Sequence, residues 1–283
     1  MSIRVGCHVS IAGSIDKAVD RAKKIGCDTF QVFTGNPRGW NVKPLEDEVA
    51  AKFRDKVAAS GMSPVVAHMP YLPNLASPKD ELYEKSCGVL LRELRRCDTL
   101  GIPYLVTHPG SHLGSGRENG IERIAGAIDS TLGSDPGDTC ILVENTSGSK
   151  NSVGGGLEDI GDIIDSLSGE GKKRTGVCFD TCHAFAAGYD LSTGSGLEDT
   201  VEAFESLIGL ERLKVVHLND SKGVVGGHLD RHEHIGLGEI GEAGMRNIVT
   251  DKRLASLPFI CETPVNDVRD DPGNLAKVRE LSQ

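Results

Sequence analysis

The sequence predicts an α/β fold, a (β/α)8 TIM barrel with its active site at the C-terminal ends of the strands, and three observations carry that expectation. Eight short runs rich in Val, Ile, Leu, Phe and Cys can be marked along the 283 residues. They lack clean period-2 alternation, as strands buried on both faces do. Amphipathic stretches of helical period lie between them, and the run ends recur about 25 to 45 residues apart, as in a strand–helix repeat. No Pro/Ser-rich linker or composition break divides the chain, so residues 1–283 read as one domain.

The elements follow in order. The first run, IRVGCHV, is followed by the amphipathic SIDKAVDRAKKIG, then by the second run, TFQVFT. PLEDEVAAKFRDKVAASG separates that run from PVVAH, and KDELYEKSCGVLLRELRRCDTLG separates PVVAH from YLVTH. These three helical stretches end in Gly26, Gly61 and Gly101, the residue type that most readily closes a helix in the left-handed region. The fifth and sixth runs are CILVEN and GVCFD; SGLEDTVEAFESLIG precedes KVVHLN, and PFICET is the last.

The chemistry lies in how the runs close. The residues that close them, at or within two places of the end, are His8, Thr34, His68, His108, Glu144, Asp180, His217 and Glu262. One histidine or carboxylate at a strand end is ordinarily a hydrogen-bonded structural residue. Several imidazoles and carboxylates in one concave mouth are costly without countercharge, which cations supply. The loops after the sixth and seventh runs add His183 and, in GGHLDRHEHIGLG, His228, Asp230, His232 and His234. Asp230 and His232 are two apart, on one side of an extended segment. Imidazole with carboxylate and no CxxC pair fits Zn2+ or a similar first-row ion better than magnesium. More ligands are present than one tetrahedral ion uses, and clustered ions suit phosphate ester hydrolysis.

Composition sets the boundaries. The start MSIRVGCHVS lacks a basic segment followed by an apolar run, and no apolar segment approaches the roughly 20 residues of a membrane span. A cytoplasmic protein with reduced thiols is expected, its eight cysteines serving mainly as packing. The net charge of −10 argues against nucleic acid only while bound metal is ignored.

With these residues in view, the chain resembles the endonuclease IV family, the zinc-dependent apurinic/apyrimidinic endonucleases. The resemblance runs from GCHVSIAG to PFICET and rests on FDTCHAFAAGYD, VHLNDSK and DRHEHIGLGEIG, with HPGSH and VENT in support. It implies three zinc ions: one on His68, His108 and Glu144; a second on Glu144, Asp180, His217 and Glu262; a third on His183, Asp230 and His232. Three Zn2+ would take −10 to about −4 (−10 + 6). Cys178 and Cys182 then read as packing, His228 and His234 match no ligand position, and His8 and His112 read as structural or ligand-orienting.

The implied reaction is hydrolysis of the phosphodiester 5′ to an abasic site in double-stranded DNA, giving a 3′-hydroxyl and a 5′-deoxyribose phosphate. Trimming of blocked 3′ ends by phosphodiesterase or phosphatase action is implied as well. Attack would come from a hydroxide shared by two ions, with Glu144 and Glu262 as the catalytic carboxylates. Arg38, Tyr71 and Leu72 match the positions that enter the minor groove, an arrangement suited to kinking DNA. Gly35 stands where several relatives carry lysine, and Met69-Pro70 lies in a variable loop. The chain is expected to be monomeric and to act at the nucleoid. The Gly-rich GSKNSVGGG is expected either to approach a phosphate or to be a loose connection. A metal-dependent sugar isomerase or epimerase is the rival enzyme, and a catalytically silent DNA-binding barrel the rival binder.

Overall fold

A computed structural model of the protein describes residues 3–283. Seven parallel strands come first: β1 (Arg4–Cys7), β2 (Phe30–Val32), β3 (Val65–His68), β4 (Tyr104–Thr107), β5 (Cys140–Glu144), β6 (Thr175–Asp180) and β7 (Leu213–His217). A short antiparallel ladder of β8 (Asp220–Ser221) with β9 (His232–Glu233) follows, and β10 (Pro258–Cys261) is the eighth barrel strand. All eight apolar runs thus become neighbours in one parallel sheet, ordered β1-β10-β7-β6-β5-β4-β3-β2. The seam between β1 and β2 is closed by a single bridge, His8 to Gln31, with the Val9 amide donating to the Gln31 carbonyl at 2.7 Å. Gly6 permits that approach, because a Cβ there would fall on the Thr29 carbonyl oxygen.

The strands are wrapped by α1 (Asp16–Ile25), α2 (Asp47–Ser60), α3 (Asp80–Leu100), α4 (Arg117–Gly133), α5 (Leu157–Ser166), α6 (Gly169–Lys173), α7 (Thr181–Ala187), α8 (Gly194–Leu207), α9 (Gly241–Thr250) and α10 (Asp271–Leu281). Gly26, Gly61 and Gly101 close α1, α2 and α3 in the left-handed region, as their sequence positions predict. The Gly-rich segment after β5 is not loose. Val153 donates to the Gly110 carbonyl, Thr146 to the Gly154 carbonyl and Gly154 to the Asp159 carboxylate, all at 2.8–2.9 Å.

Two apolar layers hold the barrel. The larger packs the helices onto the outside of the sheet, as where Phe53 of α2 meets Phe30 of β2 edge-on. The smaller is an interior floor of Val66, Val106, Leu142, Cys178, Val215 and Ile260, all fully buried. Residues two apart on a strand share a face. Two positions beyond these six stand His68, His108, Glu144, Asp180, His217 and Glu262. The strand pleat therefore raises six polar side chains on an apolar floor, and Cys178 is part of that floor.

Candidate metal centre

The nine side chains come together at the C-terminal mouth. The ligand atoms of His68, His108 and Glu144 lie within 4.8 Å of one another, as do those of Glu144, Asp180, His217 and Glu262, and those of His183, Asp230 and His232. Glu144 belongs to two sets. Its Oε2 lies 3.0 Å from His68 Nε2 and 3.1 Å from His108 Nε2, while its Oε1 lies 3.1 Å from His217 Nδ1 and 3.3 Å from His183 Nδ1. Cys182 Sγ also falls within this range of Asp180 and His232. That proximity is not foreseen from sequence. Burial pushes the Cys182 thiol up to about 12, and its sulfur faces the Arg231 carbonyl at 3.7 Å, which suits packing.

Local structure explains the FDTCH spacing. Asp180 is both the last residue of β6 and the N-cap of α7, where its Oδ1 accepts from the His183 amide at 2.7 Å. Its Oδ2 faces His217 Nδ1 at 3.9 Å and His232 Nε2 at 3.7 Å, and accepts from Asn219 Nδ2 at 2.7 Å. A register shift between Val177 and Cys178 sets Asp180 directly opposite His217 on β7. Asp230 and His232 arrive on the β8–β9 connection, with Asp230 Oδ1 3.3 Å from His183 Nε2 and 3.8 Å from His232 Nε2.

The orientation of the rings decides what the site can bind. A backbone carbonyl only accepts, so a ring nitrogen bonded to one carries the proton. His68 Nδ1 donates to the Met69 carbonyl at 2.7 Å, His183 Nδ1 to the Asn145 carbonyl at 3.0 Å and His232 Nδ1 to the Glu262 carbonyl at 3.0 Å. The other nitrogen of each neutral ring is then a lone pair aimed at carboxylate oxygens, acceptor against acceptor. His232 Nε2 is buried without a hydrogen-bond partner. Cations between imidazole and carboxylate remove that conflict, and outward N–H bonds of this kind hold metal-ligating histidines. The residues present fit divalent metal. Without it, protons must serve: burial alone would raise the Glu144 carboxyl, but the His217 and His108 rings hold it well below the ordinary carboxylate range. Burial likewise opposes charge on His183, yet Asp180 and Asp230 lift it well above the usual imidazole value.

Three polar residues that sequence reasoning missed complete the centre. Gln31 of β2 is fully buried and touches His217, Glu262 and His8. Asn145 brackets the Asp180 backbone by accepting from its N–H at 2.7 Å and donating to its carbonyl at 3.0 Å. Asn219 joins Asp180 to the Glu262 amide. Their one sequence signal was a lone amide in or just beyond an apolar run.

The remaining histidines sort themselves by contact. His234 is held by Asn266 and Asn274, His228 by the Ser147 carbonyl, and His112 accepts from the Gly114 and Gly116 amides. His8 stacks at a tilt on Phe33. At the rim, Tyr71 is 70% exposed, its ring edge-on to Phe33 at 5.4 Å, and Leu72 is also exposed. Arg38 projects from the β2–α2 loop, and its guanidinium pairs with no carboxylate among the described residues.

The comparisons with known proteins cover nearly the whole chain. A family model described as a xylose isomerase-like TIM barrel matches residues 19–281. A curated relative from Methanoculleus marisnigri, "Probable endonuclease 4", is 57% identical over 282 residues, covering 99% of each chain. The crystal structure of endonuclease IV from Thermus thermophilus superposes with a TM-score of 0.86 at 37% identity over 98% of both chains. A D-tagatose 3-epimerase-like protein superposes with a TM-score of 0.73 at 17% identity over 99% of this chain and 98% of its own, a likeness of fold alone. Identity this high over nearly the full chain separates the protein from the sugar-converting barrels: it belongs to the endonuclease IV family.

Proposed function

We propose that this DNA-cleaving hydrolase cuts the phosphodiester 5′ to an abasic site with three zinc ions, leaving a 3′-hydroxyl and a 5′-deoxyribose phosphate, and also trims blocked 3′ ends. The observation that carries the proposal is the division of nine side chains into three ligand sets, two of which share Glu144. His68, His108 and Glu144 would hold one ion; Glu144, Asp180, His217 and Glu262 a second; His183, Asp230 and His232 the third. Bound zinc supplies Lewis acidity and activates water for in-line attack at phosphorus.

The chain's own residues do the rest. The two oxygens of Glu144, aimed at different imidazoles, fix the separation of two ligand sets. Glu262 presents its carboxylate just beyond β10, where the Asn219 side chain accepts from its backbone amide at 2.8 Å. Tyr71, seated on Phe33, and the exposed Leu72 would form an apolar wedge, and Arg38 offers an unpaired cation to backbone phosphate or the minor groove. An abasic nucleotide has no base to unstack, so its rotation into the pocket, lined by His68, Tyr71, His108 and Glu262, costs little. No described helix is long and apolar enough to cross a membrane. The protein would work as a single-domain monomer in the cytoplasm, on damaged double-stranded DNA at the nucleoid.

The test uses a duplex with one abasic site and zinc-loaded, demetallated and reconstituted protein. Nicking with a 3′-hydroxyl product, lost on demetallation and restored by zinc, is expected. Turnover of free ketoses without nicking would instead favour the epimerase alternative. His108→Ala should lose incision while keeping the fold, and a fully active variant would overturn the assignment.

A further inference from the structure

We propose that Gln31 is the positioning residue of the Glu144, Asp180, His217 and Glu262 set, fixing both the proton position on His217 and the orientation of Glu262. The inference rests on the metal reading above.

Gln31 stands in β2 and its side chain reaches across the barrel. Its Nε2 donates to Glu262 Oε1 at 2.6 Å, and its Oε1 lies 2.8 Å from His217 Nε2. A carboxylate only accepts, so the amide nitrogen must face Glu262 and the amide oxygen must face His217. His217 Nε2 therefore carries the ring proton. The lone pair is placed on Nδ1, which lies 3.1 Å from Glu144, 3.5 Å from Glu262 and 3.9 Å from Asp180. One amide thus sets the tautomer of one candidate ligand, at the end of β7, and the rotamer of another, just beyond β10. The same Nε2 lies 3.0 Å from His8 Nδ1, and the His8–Gln31 backbone bridge closes the barrel. Of the other two sets, the shared Glu144 meets the His217 ring at 3.1 Å, and His232 meets Glu262 only at its backbone carbonyl, which Gln31 does not touch. Loss of Gln31 should therefore weaken one ion and spare two.

Two variants separate the roles. In Gln31→Glu the near-isosteric side chain still accepts from His217 but sets a carboxylate against Glu262. In Gln31→Met the volume is kept and both hydrogen bonds are lost. Zinc per chain is measured by mass spectrometry after dialysis against a graded chelator, alongside the far-ultraviolet circular dichroism and unfolding midpoint of the metal-free proteins. Wild type retaining three zinc ions establishes the underlying centre independently, and fewer would count against that centre and not against Gln31. With three in wild type, the expected result is one ion lost from each variant at about 10- to 100-fold lower chelator, with two retained. The metal-free folds should match wild type, and kcat on abasic duplex should fall with little change in KM. Three ions held as tightly as in wild type by either folded variant would overturn the proposal. So would unfolding of both metal-free variants, which would make the amide a prop of the barrel seam.

Discussion

Glu144 concentrates the site's electrostatics in one side chain. It is fully buried, lies within 3.3 Å of four imidazoles and belongs to two ligand sets. Glu144→Gln preserves volume but replaces a bridging anion with an amide that donates toward ring nitrogens or cations. Incision should fall by more than about 100-fold, beyond what removal of an outer hydrogen-bond partner costs, and zinc content should drop by at least one ion per chain. Near-normal turnover with three ions would refute the bridging role. At this scale the sequence was legible in the convergence of charged and imidazole side chains at apolar strand ends, because one such residue is ordinarily structural whereas many in one mouth need countercharge. Gln31, Asn145 and Asn219 were not legible. A neutral amide in a strand is common, and its importance lies in partners contributed by other strands.

Elements position these residues in two ways, and one is visible in sequence. The strand pleat lifts a ligand two positions above each floor residue, a rule that needs only the strand and its end. The register shift between Val177 and Cys178, which faces Asp180 with His217, depends on the neighbouring strand and leaves no mark in GVCFD. Helix α3 is a second case. Arg92 donates to the Trp40 carbonyl, Arg96 to the Thr34 and Lys43 carbonyls, and Lys85 lies over the Trp40 ring at 4.2 Å. Arg92 and Thr34 both bond the buried Glu93 carboxylate. This face of α3 straps down the β2–α2 loop that carries Arg38. Arg96→Ala should loosen that loop without touching the metal sets, raising Kd for abasic duplex several-fold while kcat at saturation stays near wild type. An unchanged Kd in a fluorescence anisotropy titration would exclude the strap from DNA binding. At the seam, Gly6→Ala drives a Cβ into the Thr29 carbonyl. Such overpacking against backbone should cost about 2 kcal/mol or more, read as a lower denaturant midpoint. A midpoint equal to wild type would mean that β1 and β2 separate freely there.

For the whole molecule, the barrel gathers like charge that it must neutralise to stay folded. The chain carries a net charge of −10, and four of its carboxylates (Glu144, Asp180, Asp230 and Glu262) meet in one mouth. Unfolding disperses them, so ions bind the native state far better than the unfolded chain. Each site saturated at 100 times its dissociation constant adds about 2.7 kcal/mol to native stability. For a chain of this size that is roughly 5 °C or more in unfolding midpoint per site, at about 2 °C per kcal/mol. Calorimetric scans of zinc-loaded protein should therefore unfold well above scans in chelator, and the gap should narrow in Glu144→Gln, which weakens two sets together. Equal midpoints with and without chelator would show that the three sets do not hold ions tightly in the native state, and zinc-dependent incision would then need another explanation.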